Sequence, residues 1–352
     1  MSIKDYGWDE YFENEWKQKS KDNMYPARII ADYGQVLRVM TDTGTQLVNR
    51  PLKKHDKALQ LAVGDWVALE YNEQNQVLSV QYLLNRKTKF SRAAAGIELN
   101  EQIVAANVDY VFLLQSLNLD FNMKRLERYL IAAWESGAMP VVVLTKADCC
   151  IDVGKRVADV YKVAPGVEVH AISCVTGEGI ESIKKYFIYG KTVALLGSSG
   201  VGKSTLVNSL AGERILKTQE IREDDSKGRH TTTHRELILL PGGCLIMDTP
   251  GMRSISLWEA DTGMEVMFGD IEDLINRCRF NDCKHENEPG CAVREAIEAG
   301  MIELKRWESW LKLQKELKHL EAKKEGKLRL LEKQRGRQIS KYQKEFNKER
   351  RS

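Results

Sequence analysis

The sequence predicts an α/β protein: a doubly wound, mostly parallel sheet preceded by a small antiparallel β-barrel and followed by a short, mostly helical module. Three observations predict it. Short apolar, partly β-branched runs alternate with helix-length segments from residue 103 to about 256. Partly alternating runs broken by turn residues fill positions 24 to about 84. Three Cys and one His crowd between residues 278 and 291.

Length and charge set the frame. A chain of 352 residues is too long for one compact core. Composition divides it into an N-terminal extension (1–23), a barrel domain (24–95), the α/β domain (96–260), a Cys/His helical domain (261–325) and a basic tail (326–352). Net charge is only +3, yet residues 305–352 carry 17 Lys and Arg against 7 Glu, with 36 against 43 in the remainder. That asymmetry points to a polyanionic partner. Seven Cys and no secretory leader predict a reducing, cytoplasmic setting, where clustered thiols bind metal more often than they pair. No run approaches the ~18 apolar residues of a membrane span, so no membrane partner is expected.

The first 20 residues set Tyr6, Trp8, Tyr11, Phe12 and Trp16 among acids, which suits either a packed amphipathic helix or a mobile arm. Then Ala27–Asp32, Gln35–Met40 and Gln76–Gln81 alternate in part, and Val63–Glu70 turns into a further strand. Five short strands in so small a space suit a barrel. Basic groups lie at its edge: Lys53 and Lys54 within Arg50–Lys57, then Arg86, Lys87, Lys89 and Arg92. Gathered around an exposed aromatic such as Phe90, they suit RNA; a solvated basic loop is the alternative.

Val108–Leu114 opens the α/β alternation, Asn122 caps a helix through Trp134, and strands follow at 140–145, 167–172, 191–196, 236–240 and 244–248. A ligand belongs at the carboxyl ends of such strands. Between one strand and a helix start lies Gly197-Ser198-Ser199-Gly200-Val201-Gly202-Lys203-Ser204-Thr205, which fits the phosphate-loop pattern G-x-x-x-x-G-K-[ST] without a mismatch. Its glycines let backbone N–H groups converge on phosphate oxygens. Lys203 would reach the β- and γ-phosphates, and the Ser204 hydroxyl would meet Mg²⁺. Upstream, Thr145-Lys146-Ala147-Asp148 ends another strand. The Asp148 carboxylate can accept both N–H donors of guanine's N1 and N2 edge, which adenine lacks, while Lys146 lies along the base. Ser173 and Cys174 form a small-residue turn suited to backing that base. Downstream, Asp248-Thr-Pro-Gly251 supplies D-x-x-G, Asp248 acting on the metal through water and the Gly251 amide on the γ-phosphate. Between them, the polar stretch Glu223–Thr233 can be ordered by γ-phosphate and Mg²⁺. Thr233, with Thr232 as the alternative, is expected to ligate the metal.

These motifs run base reader, base-backing turn, phosphate loop, switch, D-x-x-G, which is a rotated GTPase order. The site needs only adjacent strand ends, so the chain can be cut elsewhere. Together with Glu101-Gln102, Asn107-Val-Asp109, Gly228-Arg-His-Thr-Thr-Thr233 and the Cys/His cluster, they resemble the RsgA/YjeQ family of circularly permuted GTPases over about residues 24–305. The resemblance implies an OB-fold in the barrel, hydrolysis of GTP to GDP and phosphate, and binding of a monomer to the small ribosomal subunit and its rRNA. It further implies help with late maturation of that subunit, slow intrinsic turnover stimulated by the particle, and release on hydrolysis. Met252 stands where many GTPases keep a water-orienting Gln, and a thioether cannot donate a hydrogen bond. The resemblance gives that catalytic role to His230; an rRNA contact is the alternative.

Cys278-x₄-Cys283-x-His285-x₅-Cys291 is a closed Cys₃His set, fitting one structural Zn²⁺ with no open catalytic position. Cys149, Cys150, Cys174 and Cys244 have no metal spacing. Residues 292–325 read as helices, and the tail beyond is basic and poor in apolar residues. Two rival functions share these features. One is a GTP-dependent RNA-binding scaffold with vestigial hydrolysis, which particle-stimulated phosphate release would exclude. The other is a P-loop ATPase, excluded by a guanine preference that depends on Asp148.

Overall fold

The computed structural model describes residues 1–51, 60–72, 77–93, 101–118, 120–216, 235–248, 260–323 and 325–326. It comprises two compact units: residues 1–92 with 102–269, and residues 93–101 with 270–352.

In the first unit a 3₁₀ turn (Ile3–Tyr6) leads to helix α1 (Glu10–Lys19), whose N-cap Asp9 accepts from the Tyr11 amide. Of the two readings of this segment, the packed helix holds. Phe12 is buried, and the rings of Trp8 and Phe12 lie 4.8 and 5.5 Å from that of Trp66. Strands β1 (Met24–Asp32), β2 (Val36–Thr41), β3 (Gly44–Asn49), β4 (Trp66–Asn72) and β5 (Val77–Leu83) form antiparallel ladders in the order β3-β2-β1-β4-β5. β3 and β5 approach across the remaining gap, giving the strand neighbours of an OB-fold barrel. Alternation points Ile29, Leu37, Val39, Val67 and Val80 into one apolar cluster. On the face of β1 opposite that cluster a cation is buried: the Arg28 guanidinium donates to the carbonyls of Tyr6, Gly64 (3.3 Å) and Asn107 (3.0 Å) and to Thr192 Oγ1 (3.0 Å). Burial lowers its pKa to about 10, so it stays charged at neutral pH.

A two-stranded ribbon, β6 (Lys89–Ala93) and β7 (Glu101–Ala106), leads into the α/β region. There β8 (Tyr110–Ser116), α2 (Met123–Ser136), β9 (Met139–Thr145), α3 (Val153–Val163), β10 (Glu168–Ala171), the single turn α4 (Ile180–Ile183), β11 (Thr192–Leu196), α5 (Lys203–Ala211), β12 (Arg235–Leu239) and β13 (Leu245–Asp248) follow in order. The sheet order is β10-β9-β8-β11-β13-β12, parallel except at β12, and β12 pairs on its far side with β1. Strands β8, β9 and β10 run outward in one direction and β11 and β13 in the other, so the winding reverses between β8 and β11. Such a reversal opens a crevice at the strand carboxyl ends. Asp109 pins the start of this arrangement, its carboxylate accepting from the Thr192 amide (2.9 Å) and the Lys191 ammonium (2.8 Å). Beneath the strand ends Phe112, Leu114, Val141, Val143, Leu195 and Ile246 pack with Leu206 and Val207 of α5.

The chain enters the second unit within α6 (Asp261–Asn276), where Phe268 leaves helical geometry (φ −132°, ψ 20°). Helix α7 (Ala292–Glu298) and helix α8 (residues 304–323) complete the described part. Among the described residues no helix is long and apolar enough to cross a membrane.

Candidate nucleotide site and metal centre

The reversal point carries the phosphate loop. Gly197 is buried at the end of β11, where a Cβ would meet the Leu114 carbonyl at 3.0 Å and Val201 Cγ1 at 2.9 Å. Gly202 (φ +103°) turns the chain into α5, a conformation that costs a side-chain-bearing residue dearly. The intervening Ser199 and Gly200 are exposed, and Val201 is buried. The Lys203 ammonium sits inside this loop, donating to the carbonyls of Gly197 and Ser198 at 2.7 Å each. Ser204 is half-buried and Thr205 exposed in the first turn of α5. A glycine-bounded turn, a helix start and a lysine held among carbonyls form a cradle for anionic phosphate.

The base reader is level with it. Thr145 Oγ1, at the end of β9, donates to the Val201 carbonyl (2.6 Å), tying the reader to the phosphate loop. Lys146 adopts a left-handed conformation (φ 58°, ψ 44°), and the next amide, Ala147, donates to the Ile172 carbonyl (3.1 Å). That bond brings the Ser173–Cys174 turn beside Asp148. The Ser173 hydroxyl, then the Cys149 thiol (3.3 Å), hydrogen-bond to the Asp148 carboxylate and hold it below its usual pKa, so it is an acceptor-only group at neutral pH. Asp148→Asn should weaken GTP binding by about tenfold or more, because a guanine N–H would then face an amide donor. Equal GTP affinity in that variant, measured by equilibrium titration against ATP, would remove the base-reader assignment.

Asp248 ends β13, one place beyond the Ala194↔Met247 pair with the loop strand. His230, Thr232, Thr233, Gly251, Met252, Lys53 and Lys54 lie outside the described residues. Sequence reasoning missed the segment between β8 and α2, which closes the other side of the loop. There Asp120 accepts from the Ser198 hydroxyl and is gripped by Arg125.

The basic edge of the barrel differs from expectation. Phe90 is buried, not exposed, so it offers no stacking platform. Arg86 turns both guanidinium arms onto the fully buried Asp65 carboxylate (2.6 and 2.7 Å), and a cation compensating a buried charge is not free to grip RNA. Lys87 pairs with Asp9 and lies 4.9 Å from the centre of the Phe12 ring. Arg92 donates to Gln102 Oε1 (3.1 Å), and Lys89 is exposed.

In the second unit Cys278, Cys283, His285 and Cys291 converge, their ligand atoms all within 4.8 Å of one another. His285 Nδ1 lies 3.5 Å from the sulfurs of both Cys278 and Cys291. A tetrahedral ion with bonds of about 2.3 Å to sulfur and about 2.0 Å to nitrogen has edges of about that length. The donor set therefore fits zinc. The loop is built for it: Glu288 accepts from the amides of Lys284, Glu286 and Asn287 (2.9 to 3.0 Å), His285 takes a positive φ of 61°, and Trp307 packs edge-on against its ring.

A sequence profile described as RsgA GTPase matches residues 83–258, half of the chain, and spans both base reader and phosphate loop. The chain belongs to the RsgA GTPase family. Among RsgA relatives, the small ribosomal subunit biogenesis GTPase RsgA 2 of Vibrio parahaemolyticus is 44% identical over 89% of this chain and 85% of its own length. RsgA 1 of Listeria innocua, described in the same words, is 43% identical over 97% of this chain and 96% of its own. The crystal structure of YjeQ from Thermotoga maritima superposes with a TM-score of 0.60 at 26% identity, covering 84% of this chain and 98% of that one. A second profile, described as 50S ribosome-binding GTPase, matches residues 192–328. The rotated order of motifs in this RsgA chain is thus that of a circularly permuted GTP hydrolase.

Proposed function

We propose that this chain binds the small ribosomal subunit and assists its late maturation, hydrolysing GTP to GDP and phosphate and leaving the subunit on hydrolysis. The observation that carries the reading is the meeting of base reader and phosphate loop through Thr145 Oγ1 and the Val201 carbonyl, in a chain whose relatives are named small ribosomal subunit biogenesis GTPases. Lys203 would hold the β- and γ-phosphates, Ser204 and Thr233 would hold Mg²⁺, and Asp248 and Gly251 would complete the γ-phosphate side. Mg²⁺ when bound would neutralise charge on the transferring phosphoryl group. His230 would orient the attacking water in place of Met252. Lys53, Lys54, Lys89 and Arg92, with the basic tail, are the groups we assign to rRNA, and the Cys₃His set to one zinc ion. The five-part division at residues 23, 95, 260 and 325 separates these tasks within a cytoplasmic monomer.

GTP hydrolysis measured with purified small and large ribosomal subunits tests this. Small subunits should raise turnover, and co-sedimentation should be stronger with a non-hydrolysable GTP analogue than with GDP. His230→Ala should keep GTP-dependent subunit binding while losing about 10²-fold or more of the stimulated rate. Stimulation by large subunits alone would overturn the partner assignment. Nucleotide-dependent binding without stimulated phosphate release would favour a scaffold in which hydrolysis is vestigial.

A further inference from the structure

The segment between β8 and α2 places a carboxylate against the phosphate loop. Asp120 accepts a hydrogen bond from the hydroxyl of Ser198, the second residue of that loop. Its own position is fixed by Arg125, whose guanidinium reaches Asp120 Oδ1 and Oδ2 at 3.0 Å each and also its carbonyl. Arg125 is anchored in turn, donating to Gln115 Oε1 (3.3 Å), which also accepts from the Asn122 amide (3.3 Å). Asn122 Oδ1 caps α2 through the Arg125 amide (3.0 Å). The carboxylate is therefore braced from strand end to helix start. Burial opposes its charge, but hydrogen bonds from Arg125 and Ser198, with the charges of Arg125 and Lys146, outweigh burial and keep it ionised at neutral pH. Lys146, the lysine read above as flanking the base, is among the charges that act on this carboxylate.

We propose that Asp120 is a positioning residue of the phosphate loop and the charge that limits its grip on polyphosphate. The inference rests on the nucleotide reading above. Through Ser198 the carboxylate fixes the loop's entry beside β8; through its charge it repels the anion the loop receives. The first effect is the same for every ligand that needs an ordered loop. The second grows with each phosphate charge and is screened by salt.

Asp120→Asn removes the charge while its one amide oxygen can still accept from Ser198, at the loss of one of the two Arg125 bonds; Asp120→Ala removes the charge and all of these contacts. The measurement is equilibrium titration of full-length protein with guanosine, GDP and GTP at low and high salt. Asp120→Asn should leave guanosine affinity unchanged and tighten GDP and GTP by about threefold per phosphate charge at low salt, with the gain shrinking at high salt. Asp120→Ala should bind GDP more weakly than Asp120→Asn. An equal change for guanosine and GTP, or no change for any ligand, would overturn the proposal while leaving the nucleotide site intact. Failure of the unaltered protein to bind GDP or GTP would overturn the nucleotide reading itself, and this inference with it.

Discussion

Replacing Lys203 by alanine is expected to lower GTP turnover by about 10²- to 10³-fold, the scale seen when a preorganised donor to developing charge is removed. The ammonium donates to the carbonyls of Gly197 and Ser198, so it lies within the loop and not in the apolar cluster beneath it. Its loss should therefore leave folding intact. Single-turnover phosphate release and thermal unfolding, measured on the same preparation, separate the two. Turnover within a few-fold of the unaltered protein would show that phosphate is held elsewhere. A lowered unfolding midpoint would show instead that Lys203 stabilises the loop in the absence of nucleotide.

The second large effect concerns the Cys₃His set. The purified protein should hold about one zinc ion per chain, and Cys283→Ser should lose it. For small metal modules the metal-binding free energy, about 10–16 kcal/mol for structural zinc, is folding free energy. The consequence should be unfolding around α7 and α8, not local loosening. Trp307 reports it directly, since its ring lies 5.3 Å from the His285 ring and stacks on Trp310 at 5.0 Å. Tryptophan emission should shift to the red in Cys283→Ser and after chelation, while GDP binding persists. Metal content that survives in the Cys278, Cys283 and Cys291 variants alike would remove the site.

What could be read in the sequence was whatever is local. The phosphate loop, Thr145–Asp148, the Cys/His spacing and most strands are fixed by residues close in the chain, and the structure keeps them. What could not be read depends on partners far away or on parity. Phe90 lies in a strand whose side chains alternate in and out, and nothing nearby says which face of β6 is buried. Arg86 looked like a surface cation because Asp65, 21 positions earlier, gave no sign of being fully buried. Asp120 was unremarked because its partner Ser198 stands 78 residues on. The one available signal was the Asn122 cap, which marks this segment as a structured entry to α2.

Arg28 gives the first unit a schedule. Ribosomes release a chain from its N-terminus, and the acceptors of this guanidinium come from Tyr6, Gly64, Asn107 and Thr192. A barrel emerging alone has only the first two, and because burying a cation with half its partners missing is costly, this outer face of β1 stays open to water until the others arrive. The strand that delivers Thr192 is β11, which also delivers the phosphate loop. The apolar barrel cluster draws only on residues 27–83, but the seam around Arg28 is completed only when the nucleotide half of the chain has been made.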